Sequence, residues 1–120
     1  MARNGEAKNE IEERIEKDYY SLNFTLDSIH DDYEFDETCQ GTVPQAIVAF
    51  LESDSFEDAI RNAISLGGDS DTLAAITGSI AEAFYGVPSD LKSEALNYLD
   101  RELISIYEEW EKLIVKSRLP

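Results

Sequence analysis

The side chains with the greatest chemical capacity in this 120-residue chain lie in Leu66-Gly67-Gly68-Asp69-Ser70-Asp71-Thr72-Leu73-Ala74-Ala75. Asp69, Asp71 and Thr72 place two carboxylates and a hydroxyl within four positions. These are hard oxygen donors of the kind that Mg²⁺ and Mn²⁺ take. The same residue types also cap helices, and acids in a first helical turn are stabilised by the helix dipole. Capping needs only one of these residues, so on spacing alone it is the more economical reading. Two acidic motifs are excluded. An EF-hand loop requires a third oxygen ligand, a sixth-position Gly and a distant Glu, none of which follows. The Asp-x-Asp of phosphoaspartate-forming phosphatases follows a buried strand, whereas Ile60 to Leu66 reads as the end of a helix.

The elements that must hold this cluster are helices. Ser55 with Asp58 opens one that carries Phe56, Ala59, Ile60, Ala63 and Ile64 to the Gly67-Gly68 stop. Before it, Thr42 and Gln45 form a capping box ahead of Val43, Ala46, Ile47, Phe50 and Leu51, with Pro44 in the first turn. The two helices pair as a hairpin. After the acidic cluster, Ser70 to Tyr85 is apolar on nearly every face, which predicts burial all round. Gly78 costs that helix roughly 1 kcal/mol against Ala, so it points to a tight helix contact. Gly86 and Pro88 end it. Upstream, Ile11, Ile15 and Tyr19 mark a short amphipathic helix, and Thr25 caps a second piece that His30-Asp31-Asp32 ends. Tyr33 to Asp36 reads as extended. Downstream, Ser89 caps a stripe of Leu91, Leu96, Leu99, Leu103, Ile106, Tyr107, Trp110, Leu113 and Ile114, as one long helix or two with a bend. The reading is all-α, a single helical domain or half-domain over 1–120: a frayed 1–9, short helices over 10–32, core helices with the acidic motif over 42–86, and a C-terminal helix or helices over 89–117.

Charge narrows the partners. With 26 acidic against 10 basic residues the net charge is −16, which disfavours nucleic acid and anionic membranes and favours cations. Cys39 is the only cysteine, so an internal disulfide framework is excluded and a reducing cytoplasm is expected. Residues 1–10 contain no apolar signal core, and no apolar run approaches the length of a membrane span.

Four segments in order, Cys39-Gln40-Gly41-Thr42-Val43-Pro44-Gln45-Ala46, Phe50-Leu51-Glu52-Ser53, Gly67-Gly68-Asp69-Ser70-Asp71-Thr72 and Ala81-Glu82-Ala83-Phe84-Tyr85-Gly86-Val87-Pro88, closely resemble the C-terminal half of the ADP-ribosylglycohydrolases. That family includes the dinitrogenase reductase-activating glycohydrolase. The resemblance runs from near residue 5 to about residue 110 and reverses the order of preference between capping and metal binding. It implies a helical bundle, the C-terminal portion of the family fold, around two divalent ions, Mg²⁺ or Mn²⁺. It implies Asp69, Asp71 and Thr72 as metal ligands and hydrolysis of the bond between ADP-ribose and an acceptor, a protein side chain among them. Gly41, Thr42, Gly67, Gly68 and Ser70 are the accompanying substrate-binding candidates. The family's second acidic metal motif and its catalytic acid have no counterpart here, so no catalytic residue is assigned. The expectation is a segment silent without an N-terminal half; the alternative is a non-catalytic module that binds a partner chain or ADP-ribose.

The remaining candidates have plainer roles. His30 reads as a surface residue, Cys39 as a small buried or half-buried one, and Arg61 as half of a surface ion pair. Tyr33, Phe35, Tyr85 and Trp110 read as core, and Glu108, Glu109 and Glu111 as a solvated face. An apolar Ser70–Tyr85 helix needs more cover than so short a chain supplies, so a homo-oligomer or a separate N-terminal chain is expected. Size-exclusion chromatography with light scattering should return more than a monomer mass; a monomer at high concentration contradicts this.

Overall fold

The computed structural model describes residues 1–118. Among them are seven α-helices and no strand: α1 (Lys8–Asp18), α2 (Leu26–Ile29), α3 (Cys39–Leu51), α4 (Phe56–Ser65), α5 (Ser70–Tyr85), α6 (Ser89–Leu96) and α7 (Arg101–Arg118). The fold is all-α, as the sequence predicts. The chain divides into two compact units, Met1–Gly86 and the residues from Val87 onward.

In the first unit α5 packs against α3 and α4, and small residues set the spacing. Ala46, Ala49, Ala59, Ala63 and Ala81 have no exposed surface, and neither do Phe50, Leu73 and Thr77. Thr77 Oγ1 donates to the Ala46 carbonyl at 2.8 Å, so the one polar side chain at this depth is satisfied by the facing helix. Helix starts follow local chemistry. Ser55 Oγ accepts from Asp58 N at 3.1 Å, while Asp58 Oδ2 accepts from Asp54 N at 2.9 Å. Thr25 and Ser28 exchange backbone-to-side-chain bonds at the start of α2.

Helix starts differ from the sequence reading at α3 and α6, and the C-terminal stripe, read as one long helix or two with a bend, is two. Helix α3 begins three residues before Thr42, with Thr38 as its cap accepting from Gly41 N at 3.1 Å. Thr42 is buried and Pro44 is the sixth helical residue, not part of the first turn. The Thr42–Gln45 pattern resembles a capping box, but Thr38 offers an oxygen one turn earlier and wins. Pro88, not Ser89, holds the cap position of α6. The C-terminal stripe breaks at Asn97–Asp100, where Asp100 Oδ1 accepts from Leu103 N at 2.9 Å and starts a second helix.

Helix α5 is not buried all round. Its fully enclosed stripe is Leu73, Thr77 and Ala81; Ala74, Ile76 and Ile80 are half-buried and Ala75 is exposed. Helices α3 and α4 cover one side of α5. Beside it opens a recess of about 330 Å³ lined by Met1, Ile11, Ile15, Ile47, Phe50 and Ile80. The residues expected to be frayed include a 3-10 turn, Ala2–Asn4, whose Arg3 pairs with Glu82 of α5. Lys8 reaches the carbonyls of Leu51 and Ser53 at the C-terminus of α3, where the helix dipole favours a cation. Its ammonium lies 5.1 Å from the Phe50 ring centre and 5.3 Å from that of Tyr85. Tyr85 is half-buried and donates to the Ser53 carbonyl at 2.8 Å.

In the second unit Lys92 of α6 pairs with Glu111 of α7 at 2.5 Å, and Tyr107 Oη donates to the same carboxylate. Glu111 is therefore half-buried and bonded, whereas Glu108 and Glu109 are exposed as expected. Trp110, expected in the core, is 51% exposed, with Leu103, Ile106 and Leu113 alongside it in the open. These four share a helical face distinct from the half-buried one of Ile104, Tyr107, Glu111 and Ile114.

Gly78 explains itself by contact: a Cβ there would sit 2.9 Å from Ile60 Cδ1. That atom ends a flexible side chain, so Gly78→Ala should leave stability within about 1 kcal/mol of the wild type, the gain in helix propensity offsetting the displaced methyl. Gly78→Leu should cost about 1–3 kcal/mol through overpacking. Urea midpoints at constant slope measure both; equal midpoints for wild type and the Leu variant would disprove the contact.

Candidate metal and ADP-ribose site

The acidic cluster sits on a chain reversal made by two consecutive left-handed glycines, Gly67 (φ 74°) and Gly68 (φ 61°). They turn the chain from the end of α4 into the start of α5 without a Cβ clash. Asp69 then takes the cap position of α5, yet its side chain makes no capping bond. Asp71 Oδ1 accepts the adjacent Thr72 N at 3.1 Å. The Asp71 carboxyl is held below the usual carboxylate range, first by its interaction with the Asp69 carboxyl and then by backbone amides. The Asp69 and Asp71 carboxyls thus interact with one another, and Asp69 does not cap the helix. Asp71 and Thr72 are exposed, and Asp69 and Ser70 are half-buried.

A second structure converges on this turn, and the sequence reading missed its role. Residues 33–36, extended but not in a strand, form a strap between the start of α3 and Gly68. Tyr33 Oη donates to the Gly41 carbonyl at 2.7 Å. A Cβ on Gly68 would lie 3.0 Å from Tyr33 Cε1 and 3.1 Å from the Glu34 carbonyl oxygen. Burial pushes the Tyr33 phenol up, and the charges of Asp36 and Asp69 add to the rise. Asp36 Oδ1 accepts Thr38 N at 2.6 Å and Thr38 Oγ1 at 2.5 Å, and its carboxylate rests where a Cβ of Gly41 would go. Those Thr38 bonds hold the Asp36 carboxyl below the usual range. Thr42 Oγ1 donates to the Asp36 carbonyl at 3.0 Å. An Asp two residues before a Thr cap is the readable sign of such a turn.

Through Tyr33 the strap links Gly41 to Gly68, candidates that lie 27 residues apart along the chain. Gly67 has open space at its Cα and stands clear of the strap. His30 is exposed and contacts Asp31. Cys39, expected to be buried or half-buried, is exposed as the first residue of α3. Phe35, expected in the core, is 61% exposed, whereas Tyr33 is half-buried against it. Arg61 pairs with Glu57 on the surface of α4 at 2.7 Å, as expected.

The ADP-ribosylglycohydrolase profile matches residues 3–118. The chain belongs to the ADP-ribosylglycohydrolase family. A curated relative is the ADP-ribosylarginine hydrolase Tri1 of Serratia proteamaculans (strain 568), 41% identical over 64 residues, or 53% of this chain. That match spans only 18% of the relative's own length. No solved structure matches this chain.

The donors present fit part of a divalent-metal shell. Two carboxylates and a hydroxyl are the right chemistry, and the Asp69 carboxylate is not consumed by its own helix. Among the described residues no three His, Cys, Asp or Glu side chains come together as a metal-binding group. No described helix is long and apolar enough to cross a membrane.

Because Asp36 is acidified in the native state, the stability it contributes is complete above the ordinary carboxylate value of about 4 and is lost as pH falls through its lowered native value. Asp36→Asn should therefore be less stable than wild type at pH 7, with the gap closing below about pH 4. Urea midpoints at neutral and acid pH check this; a gap that does not vary with pH refutes the charge argument.

Proposed function

We propose that this chain supplies the Asp69–Asp71–Thr72 side of a divalent-metal site in an ADP-ribosyl hydrolase. The observation that carries this is Asp69, whose side chain holds the α5 cap position without capping while its carboxyl interacts with that of Asp71. Family membership supplies the reaction class. In this reading the ion is Mg²⁺ or Mn²⁺, and Asp69, Asp71 and the Thr72 hydroxyl hold it from one side. When bound, such an ion orients substrate oxygens and acidifies bound water. The chain's own residues contribute position: the glycine reversal presents both acids together at the N-terminus of α5. Gly68 and Ser70 would line the approach that ADP-ribose uses, with Gly41 behind the strap and the buried Thr42 hydroxyl bracing it on the Asp36 carbonyl, and Gly67 gives the reversal its open side.

Three oxygens cannot fill two octahedral sites, so the remaining ligands and the general acid come from residues beyond those named here. Hydrolysis by these 120 residues alone is expected at background, with activity appearing when a partner half or second copy completes the shell. The absence of a third acidic ligand among the described residues favours one further reading, a module that binds ADP-ribose or a partner without catalysis. The name of the Serratia relative makes ADP-ribosylated arginine the first substrate to test.

Mn²⁺ at a hundredfold excess over its dissociation constant should stabilise the protein by about 2.7 kcal/mol. The Asp69→Ala, Asp71→Ala variant should lose that gain. A wild type whose melting temperature ignores both Mn²⁺ and Mg²⁺ ends the metal reading. Calorimetry with ADP-ribose plus metal, beside turnover of an arginine-linked substrate, separates the binding module from the enzyme.

A further inference from the structure

The metal reading leaves open what fixes the separation of Asp69 and Asp71 on an exposed turn. Gly67 N donates to the Ile64 carbonyl at 3.1 Å and Leu73 N to the Asp69 carbonyl at 3.0 Å, so the two helix ends hold the flanks of the reversal, while the Asp69 side chain takes no bond from its own helix. Between those flanks, Gly68 is seated from outside. The Tyr33 ring and the Glu34 carbonyl lie on Gly68, at distances that a methyl group would close to 3.0 and 3.1 Å. The other end of the same side chain is tied down, since Tyr33 Oη donates to the Gly41 carbonyl at 2.7 Å in the first turn of α3. The strap in turn is pinned by Thr42 Oγ1 on the Asp36 carbonyl and by the Asp36 carboxylate on Thr38.

We propose that Tyr33 is the positioning residue of the acidic turn: its hydroxyl anchors on α3 and its ring seats Gly68, so that the Asp69 carboxylate is held in register with Asp71. This rests on the metal reading above and extends it to a residue outside the acidic motif. Tyr33 touches neither metal nor substrate in this role. It acts through Gly68, the residue before Asp69, in the way that groups behind metal ligands fix the ligands' orientation. Coupling of this kind is reciprocal, so filling the metal site should also steady the strap.

The test uses the 120-residue chain with Mn²⁺ as the probe, by calorimetry well below the melting temperature. Tyr33→Phe keeps the ring and removes the anchor. It should weaken Mn²⁺ binding on the order of tenfold. Ser53→Ala, which removes a buried hydroxyl bonded to the Phe50 carbonyl at 2.6 Å, serves as a stability control and should leave Mn²⁺ affinity unchanged. Equal Mn²⁺ affinity in wild type and Tyr33→Phe overturns the proposal while leaving the metal reading intact. So does an equal loss in both variants, which would mark a general stability effect. A wild type that binds no Mn²⁺ sinks the metal reading instead. Hydrogen exchange without metal then decides the strap. Faster exchange confined to residues 67–72 in Tyr33→Phe supports the positioning role, and unchanged exchange there refutes it.

Discussion

The first unit depends on how closely three helices approach one another. Helices α3, α4 and α5 meet through alanines that have no exposed surface, with Phe50 and Leu73 filling the gaps between them. Interiors pack as densely as organic crystals, so small side chains in such a seam fix the distance between helix axes. Gly78 against Ile60 and Thr77 against the Ala46 carbonyl are the same constraint expressed by a missing side chain and by a hydrogen bond. Once α4 and α5 are locked at that spacing, the few residues joining them must reverse within a short distance. The double glycine is the result, and the acidic motif is carried on it.

This order of causes explains what the sequence could disclose. The extent of α5 was readable because Asp69 and Gly86 bracket a run with a strong apolar pattern, and its limits match the structure at Ser70 and Tyr85. The start of α3 was not, because Thr38 and Thr42 are both competent caps four residues apart. The choice between them depends on Asp36, whose carboxylate takes Thr38 N and Oγ1, a preference that no periodicity records. The acidic motif was legible by residue type; its strap was not. Tyr33 meets Gly68 across 35 residues of chain, counting from one to the other, and that meeting arises from helix packing rather than from any local signal.

Apolar residues do not always have a covering neighbour. Trp110, Phe35 and the open flank of α5 are apolar and at least partly exposed. Hydrophobic residues are often inside, but much of any protein surface is apolar too, so pattern alone does not identify the covering element. In α7 the two apolar faces illustrate the difference. The Ile104–Tyr107–Glu111–Ile114 face is half-buried and includes the Lys92 ion pair, whereas the Leu103–Ile106–Trp110–Leu113 face is open.

The electrostatics of the acidic turn follow from its place in this frame. The Asp69 carboxyl favours the charged form of Asp71, and a chain of net charge −16 surrounds the pair with further negative charge. The α5 N-terminus offsets part of that charge through its dipole and its free amides, one of which Asp71 uses. Asp69 uses none as a cap. A divalent cation would draw on both acids at once, and its attraction would grow with how firmly the pair is kept together. A loose turn would let the acids swing apart into water and lose the advantage. In the proposed metal site, rigidity at Gly68 and affinity at Asp69 and Asp71 would be one quantity seen from two sides, and a tyrosine outside the motif would bear on its chemistry.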